Sequence, residues 1–259
     1  MNNNKHNKHN IQYDMQTDDL INKYTQSNIK INNYTPFILL FFVIIINAYF
    51  NSKFQLHFDE AYYWVWGKNL ALSYYDHPPM IAYLAKISTY FGLSEFYVRL
   101  PNLFCITIAL IYIYKLAKDC FNIQVANLAL LFAITCPIYE ALFFIFTPDS
   151  PLLLFWVLTI YYFYKAIFEN NTVSFYLAGI YGGLALLSKY NAILLFISFI
   201  LFLSIKKKYH YVFRNYHLYL AVFLSLIVFS PVIIWNYEHN FASFIFQYKH
   251  GVTSGLNFN

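Results

Sequence analysis

Seven apolar runs divide this chain and constrain it more than any other feature. Residues 191–205, NAILLFISFILFLSI, carry no charge at all, and comparable runs lie at about 34–52, 98–117, 123–146, 150–168, 174–188 and 217–236. A membrane-crossing helix needs roughly 20 mainly apolar residues, so each run is a candidate span. Composition agrees: charged residues make up 11% of the chain, against about 25% in soluble domains. Too little charge is present to cover a water-facing surface. The net charge of +5 is spread along the chain without an Arg-rich cluster, which argues against a nucleic-acid partner. Cys105, Cys120 and Cys136 lie in or beside apolar runs with no C-x-x-C pair. They read as small apolar residues, not as a disulfide framework or metal site.

The expected fold is therefore all-α and polytopic, with about seven transmembrane helices. Residues 1–33 are polar, open on MNNNKHNKHN, and read as a disordered cytoplasmic tail; residues 34–259 form the transmembrane domain. The first apolar run follows too long a polar stretch for a secretory signal and reads as a signal anchor. Residues 79–91, PMIAYLAKISTYF, are too short to span. Met80, Ile81, Leu84 and Ile87 recur at helical spacing, so this segment reads as an interfacial amphipathic helix begun by Pro78-Pro79 and stopped by Gly92. Lys and Arg near span ends set orientation. A cytoplasmic N-terminus places 11 of the 17 basic residues inside, including Lys115, Lys118, Lys165, Lys206 to Lys208 and Arg214. Residues 51–97 then form a long external loop, with TPDSP (147–151), LSKYN (187–191) and the segment after 236 on the same face.

That shared face collects the chain's unusual polar residues. HFDEAYYWVWGKNLALSYYDHPP, residues 57–79, holds Asp59, Glu60 and Asp76 among aromatic residues. Two readings of Asp59 are open: a helix cap, or a general base at the membrane edge. Adjacent helical residues point about 100° apart, so Asp59 and Glu60 do not serve one spot, and Asp59 is the better base. With Asp59 as a cap, Tyr62, Tyr63, Trp64 and Trp66 are an interfacial aromatic belt. Asp76 and His77 are displayed just before a helix by Pro78, as a turn or as an anion-facing pair. Asp149, between two prolines at the mouth of the fourth span, can cap that helix with Pro151 in its first turn. Lys189 sits between two apolar stretches on the face where cations are disfavoured; it snorkels or holds an anionic partner such as a lipid phosphate.

Six motifs, FDEAYYWVWGKNL, YYDHPPMIAYL, RLPNLF, TPDSPLLLFW, GLALLSKYNAILL and WNYEHNFASFIFQYKHG, resemble in order those of bacterial polyprenyl-phosphate-dependent membrane glycosyltransferases. This group lies in the GT-C superfamily and is similar to protein mannosyltransferases and lipid A aminoarabinose transferases. The resemblance covers about residues 34–257. It implies two interfacial helices in the first external loop and makes Asp59 the catalytic carboxylate. Glu60, Tyr62, Tyr63, Asp76, His77, Asp149 and Lys189 are the implied substrate-binding residues. Asp76 and His77 stand where relatives carry an acid and a base, commonly Glu-Lys, and Lys189 matches a lysine that holds the lipid phosphate.

The implied reaction moves a sugar from a polyprenyl-phosphate donor to a hydroxyl of lipid A, another envelope glycan or a protein, with inversion, at the external face of the inner membrane. Lys189, with His77, Arg99 or Lys249, would stabilise the departing phosphate. No metal or cofactor is called for. Relatives continue further, so the chain reads as a truncated or split-gene product. It would then be a remnant, or a subunit that a second chain completes. A transporter is disfavoured, because charges do not recur in mid-span.

Overall fold

The computed structural model describes residues 31–256; the expected tail, apart from its last three residues, lies outside this range. Among the described residues the secondary structure is helical. α1 (Thr35–Asn51) leads to two short helices, α2 (Phe58–Lys68) and α3 (Met80–Thr89), which occupy the two places expected for interfacial helices. Next come α4 (Glu95–Cys120), α5 (Ile123–Thr135), α6 (Pro137–Phe144), α7 (Asp149–Phe168), α8 (Thr172–Ser188), α9 (Ile193–Ile205), α10 (Tyr216–Glu238) and α11 (Ala242–Leu256). Single 3₁₀ segments cover Tyr190–Ala192 and Lys207–Arg214.

Helix starts follow local chemistry. α5, α8 and α10 all begin at one end of the bundle, and each is capped by an asparagine. Asn122 accepts from the amides of Gln124 and Val125, Asn171 from Ser174, and Asn215 from His217, in each case satisfying donors that a helix start leaves orphaned. At the opposite end, Asn240 and Phe241 both take positive φ, 53° and 56°, to turn the chain from α10 into α11.

Every apolar run expected to span is helical, but not every one is a straight span. α4, α7 and α10 are each long and apolar enough to cross a membrane. α5 and α6 are bent by 60° at Cys136-Pro137, because a proline cannot continue the preceding helix's hydrogen bonds. α9 with its 3₁₀ start is separated from Lys207–Arg214 by a 118° bend. Counting each bent pair once gives five spans; α1 and α8, at 17 residues each, are shorter. This is a helical, polytopic membrane protein. The most apolar stretch of α10 is only 17% buried by protein, and Phe223, Leu226, Ile227, Ile233 and Ile234 stay exposed along it. Such a surface matches a lipid solvent.

α8 is the hub, packed extensively on α7 and α10, while α4 packs on α5 and α7. The approach of α8 to α10 depends on Gly183, where a Cβ would lie 2.6 Å from Val228 Cβ and 2.8 Å from the Ser225 carbonyl oxygen. Small residues allow this closeness where lipid supplies no hydrophobic drive between helices. The packing holds the end of α8, and with it Lys189, in place.

The loops sort to two ends. Asn33 with Asn127, Lys165 with Asp119, and Tyr176 with His217 meet at one end. At the other, α2, α3, the 145–149 turn, the 189–192 turn and α11 come together.

Candidate active site

Cap duty on α2 falls to His57 and Glu60, not Asp59. His57 is extended (φ −66°, ψ 156°), its Nδ1 lies 3.5 Å from the Asp59 amide nitrogen, and Glu60 Oε2 accepts from the His57 amide at 2.8 Å. This is the reciprocal capping-box arrangement. Asp59 makes no cap bond. Its side chain is 45% exposed, with Oδ2 3.5 Å from His57 Nδ1.

Glu60 departs from its expected substrate-binding role. It is fully buried, and each carboxylate oxygen accepts two hydrogen bonds. Oε1 takes Arg99 Nε (2.8 Å) and the Phe146 amide (2.9 Å); Oε2 takes Arg99 Nη2 (2.7 Å) and the His57 amide (2.8 Å). Arg99, 1% exposed, spends its remaining N–H groups on the carbonyls of Asn51 (3.2 Å), Phe54 (2.8 Å) and Gln55 (2.8 Å). All five guanidinium donors are thus used, and about four carboxylate acceptor sites are filled. Neither group has capacity left for a substrate, so the role foreseen for Arg99 at a leaving phosphate also falls away. The pair joins four segments instead: the end of α1, the start of α2, α4, and the turn leading to Asp149.

Asp149 and Lys189, 40 residues apart, meet directly: Lys189 Nζ donates to Asp149 Oδ1 at 2.8 Å. Asp149 opens α7 without a side-chain cap bond, and Lys189 is the C-cap of α8. An acid at a helix start and a cation at a helix end each complement the local dipole. The pair remains accessible, at 43% and 27% side-chain exposure. Lys189 has three donors, and one of them serves Asp149.

Asp76 sits beside α2, its Oδ1 3.4 Å from Tyr62 Oη, and its backbone carbonyl accepts from Gln247 Nε2 at 2.6 Å. α11 is tied to the same place by Tyr190 Oη and Ser243 Oγ, 2.6 Å apart. Tyr74 stacks on Trp66 at 4.0 Å and bonds the carbonyls of Trp66 and Asn69, which fixes the loop presenting Asp76 and His77.

Electrostatics show how close these groups are. Burial pushes the Tyr63 phenol well above its ordinary range, and the charges of Asp76, Asp59 and Asp149 push it further. Burial likewise raises Tyr62, reinforced by Asp76. Both remain phenols, able to donate. Burial lowers the His77 pKa against the opposing pull of Asp76; Lys189 lowers it further, while Asp149 and Asp59 raise it. His77 is therefore a neutral imidazole at neutral pH, and its Nδ1 is buried with no hydrogen-bond partner among the described residues. Because the folded pKa lies below the ordinary 6.5, this group's contribution to stability is present above that value and declines as the pH falls below it.

Asp59, Tyr62, Tyr63, Asp76, His77, Asp149 and Lys189 thus share one neighbourhood, assembled from four parts of the chain. Glu60 and Arg99 form its buried footing. Sequence reasoning did not single out Gln247, which an isolated glutamine after the last span gives no reason to choose, nor the anchoring tyrosine Tyr74.

The helical membrane bundle thus gathers acids, a lysine and aromatic residues at one end. Residues 76–235 match the family model described as dolichyl-phosphate-mannose-protein mannosyltransferase, and the chain belongs to that family. The matched stretch includes Asp76, His77, Asp149 and Lys189. The chain is also 28% identical over 185 residues to the lipid A galacturonosyltransferase RgtD of Rhizobium johnstonii. The aligned part is 70% of this chain and 38% of that relative, so the chain spans well under half of the relative's length. No solved structure matches it.

Proposed function

We propose that this protein moves a sugar from a polyprenyl-phosphate donor to a hydroxyl acceptor, a lipid A-type glycolipid, another envelope glycan or a protein, at the external face of the inner membrane. The meeting of Lys189 and Asp149 beside the α2 acids carries this reading. Asp59, free of capping duty and partly exposed, takes the acceptor's proton. The acceptor oxygen attacks the anomeric carbon, and the bond from that carbon to the phosphate oxygen breaks with inversion. Its electron pair leaves on the polyprenyl phosphate. Lys189, turning its remaining donors to that phosphate, stabilises the charge that develops there. Neutral His77 donates a hydrogen bond and adds no charge. Tyr62 and Tyr63 offer ring faces and phenol donors to the sugar.

Lys189→Ala is expected to weaken binding of a short-chain polyprenyl phosphate by at least about tenfold, since hydrogen bonds to charged groups are worth roughly 1.5–3 kcal/mol. Lys189→Arg retains more of that binding than Ala. The measurement is titration of purified protein in detergent, and equal affinity of wild type and Lys189→Ala would remove the lysine from the donor site.

The proposed orientation puts the site end outside and the lysine-rich segment 206–208 inside. In a cysteine-free background, Tyr75→Cys and Glu238→Cys are expected to react with an impermeant thiol reagent in intact cells, and Lys208→Cys only after lysis. The reverse labelling pattern would place the site in the cytoplasm and end the proposal.

A further inference from the structure

A crevice of about 460 Å³ opens between α2 and α3 and shares no lining residue with the acid cluster. Trp64, Lys68, Lys86, Tyr90, Phe91 and Leu93 line it. Its floor is the closest approach of the two helices, at Gly67. A Cβ there would lie 2.8 Å from Ala85 Cβ and 3.1 Å from the Lys86 amide nitrogen. Lys68 follows that glycine on one helix and Lys86 faces it on the other, so the crossing brings two cations to one opening. We propose that this crevice binds the phosphate headgroup of an anionic membrane lipid.

Two observations carry the assignment. First, among the described residues neither lysine has a carboxylate within ion-pair distance. Lys68 lies over the Trp64 ring at 3.6 Å, and two cations at one mouth without an acid form an anion site by charge alone. Second, the rim is apolar and outward-facing: Tyr90 is 89% exposed, Phe91 67% and Leu93 74%. In a membrane protein, aromatic and aliphatic side chains beside lysines on an interfacial helix lie at the depth of lipid headgroups, with acyl chains next to them. A soluble phosphate has no use for such a rim; a lipid uses both halves.

The inference does not depend on sugar transfer. It is tested in phosphatidylcholine vesicles containing phosphatidylglycerol with a photoreactive group beside its phosphate, the cross-linked peptides being mapped by mass spectrometry. Labelling of the peptide covering residues 64–93 is expected to fall at least about tenfold in the Lys68→Gln/Lys86→Gln variant, because each cation near an anionic surface is worth roughly fivefold. Both lysines are exposed, so the variant keeps its fold, and unchanged labelling around Lys206–Lys208 serves as its internal control. Unlabelled phosphatidylglycerol competes. Equal labelling of wild type and double variant would overturn the site, as would equal labelling by a zwitterionic probe. Competition by inorganic phosphate at the lipid's own effective concentration would overturn the lipid assignment.

Discussion

Arg99→Met, with Glu60 left in place, is expected to destabilise the protein by about 3–5 kcal/mol, the range for stranding one member of a buried ion pair. The physical reason is that Glu60 keeps its burial but loses two of four hydrogen bonds, both from the cation that neutralises it. Three carbonyls at the end of α1 lose their donor at the same time. The measurement is the thermal midpoint of the solubilised protein, followed by size-exclusion fluorescence. Glu60→Leu/Arg99→Met recovers part of the loss, because the stranded charge is gone although the backbone groups stay unpaired. A single variant as stable as wild type would show that the pair is not the footing described above.

Asp59→Asn separates chemistry from architecture more sharply. Because His57 and Glu60 cap α2, the substitution leaves the thermal midpoint and the donor-lipid affinity close to wild type. Sugar transfer is expected to fall by about 10²–10⁴-fold, the usual contribution of a general base. The assay uses membranes of the native host, so that any partner chain is present, and follows label from the donor into the acceptor fraction. Full transfer by Asp59→Asn would remove it from the catalytic role. A fall in stability without a fall in transfer per folded molecule would make it a structural acid.

Much of this architecture can be read from local pattern. Apolar runs locate every long helix, and the spacing of Met80, Ile81, Leu84 and Ile87 locates α3 within a residue or two. Alternation of spans brings Asp59, Asp76, Asp149 and Lys189 to one end, because an even number of crossings returns the chain to the same side. What pattern does not contain is pairing. The partner of Glu60 is 39 residues away, and nothing local distinguishes Arg99 from an ordinary interfacial arginine. The cap is hidden for a different reason. His57 is not one of the residue types that commonly serve there, whereas Asp59, two residues on, is. The span count blurs at Cys136-Pro137 and again after α9, where one hydrophobic run is served by two helices of different direction.

The saturated Glu60–Arg99 pair has a consequence for handling the protein outside its membrane. α10 relies on lipid contact over most of its apolar length, so its placement responds to the detergent that replaces that lipid. The footing beneath Asp59 consists of hydrogen bonds closed upon themselves and shut away from any solvent, aqueous or oily. Solubilisation therefore acts unequally on this molecule: the outer helices feel the change of medium first, and the acid at the start of α2 keeps its bearing after they have loosened.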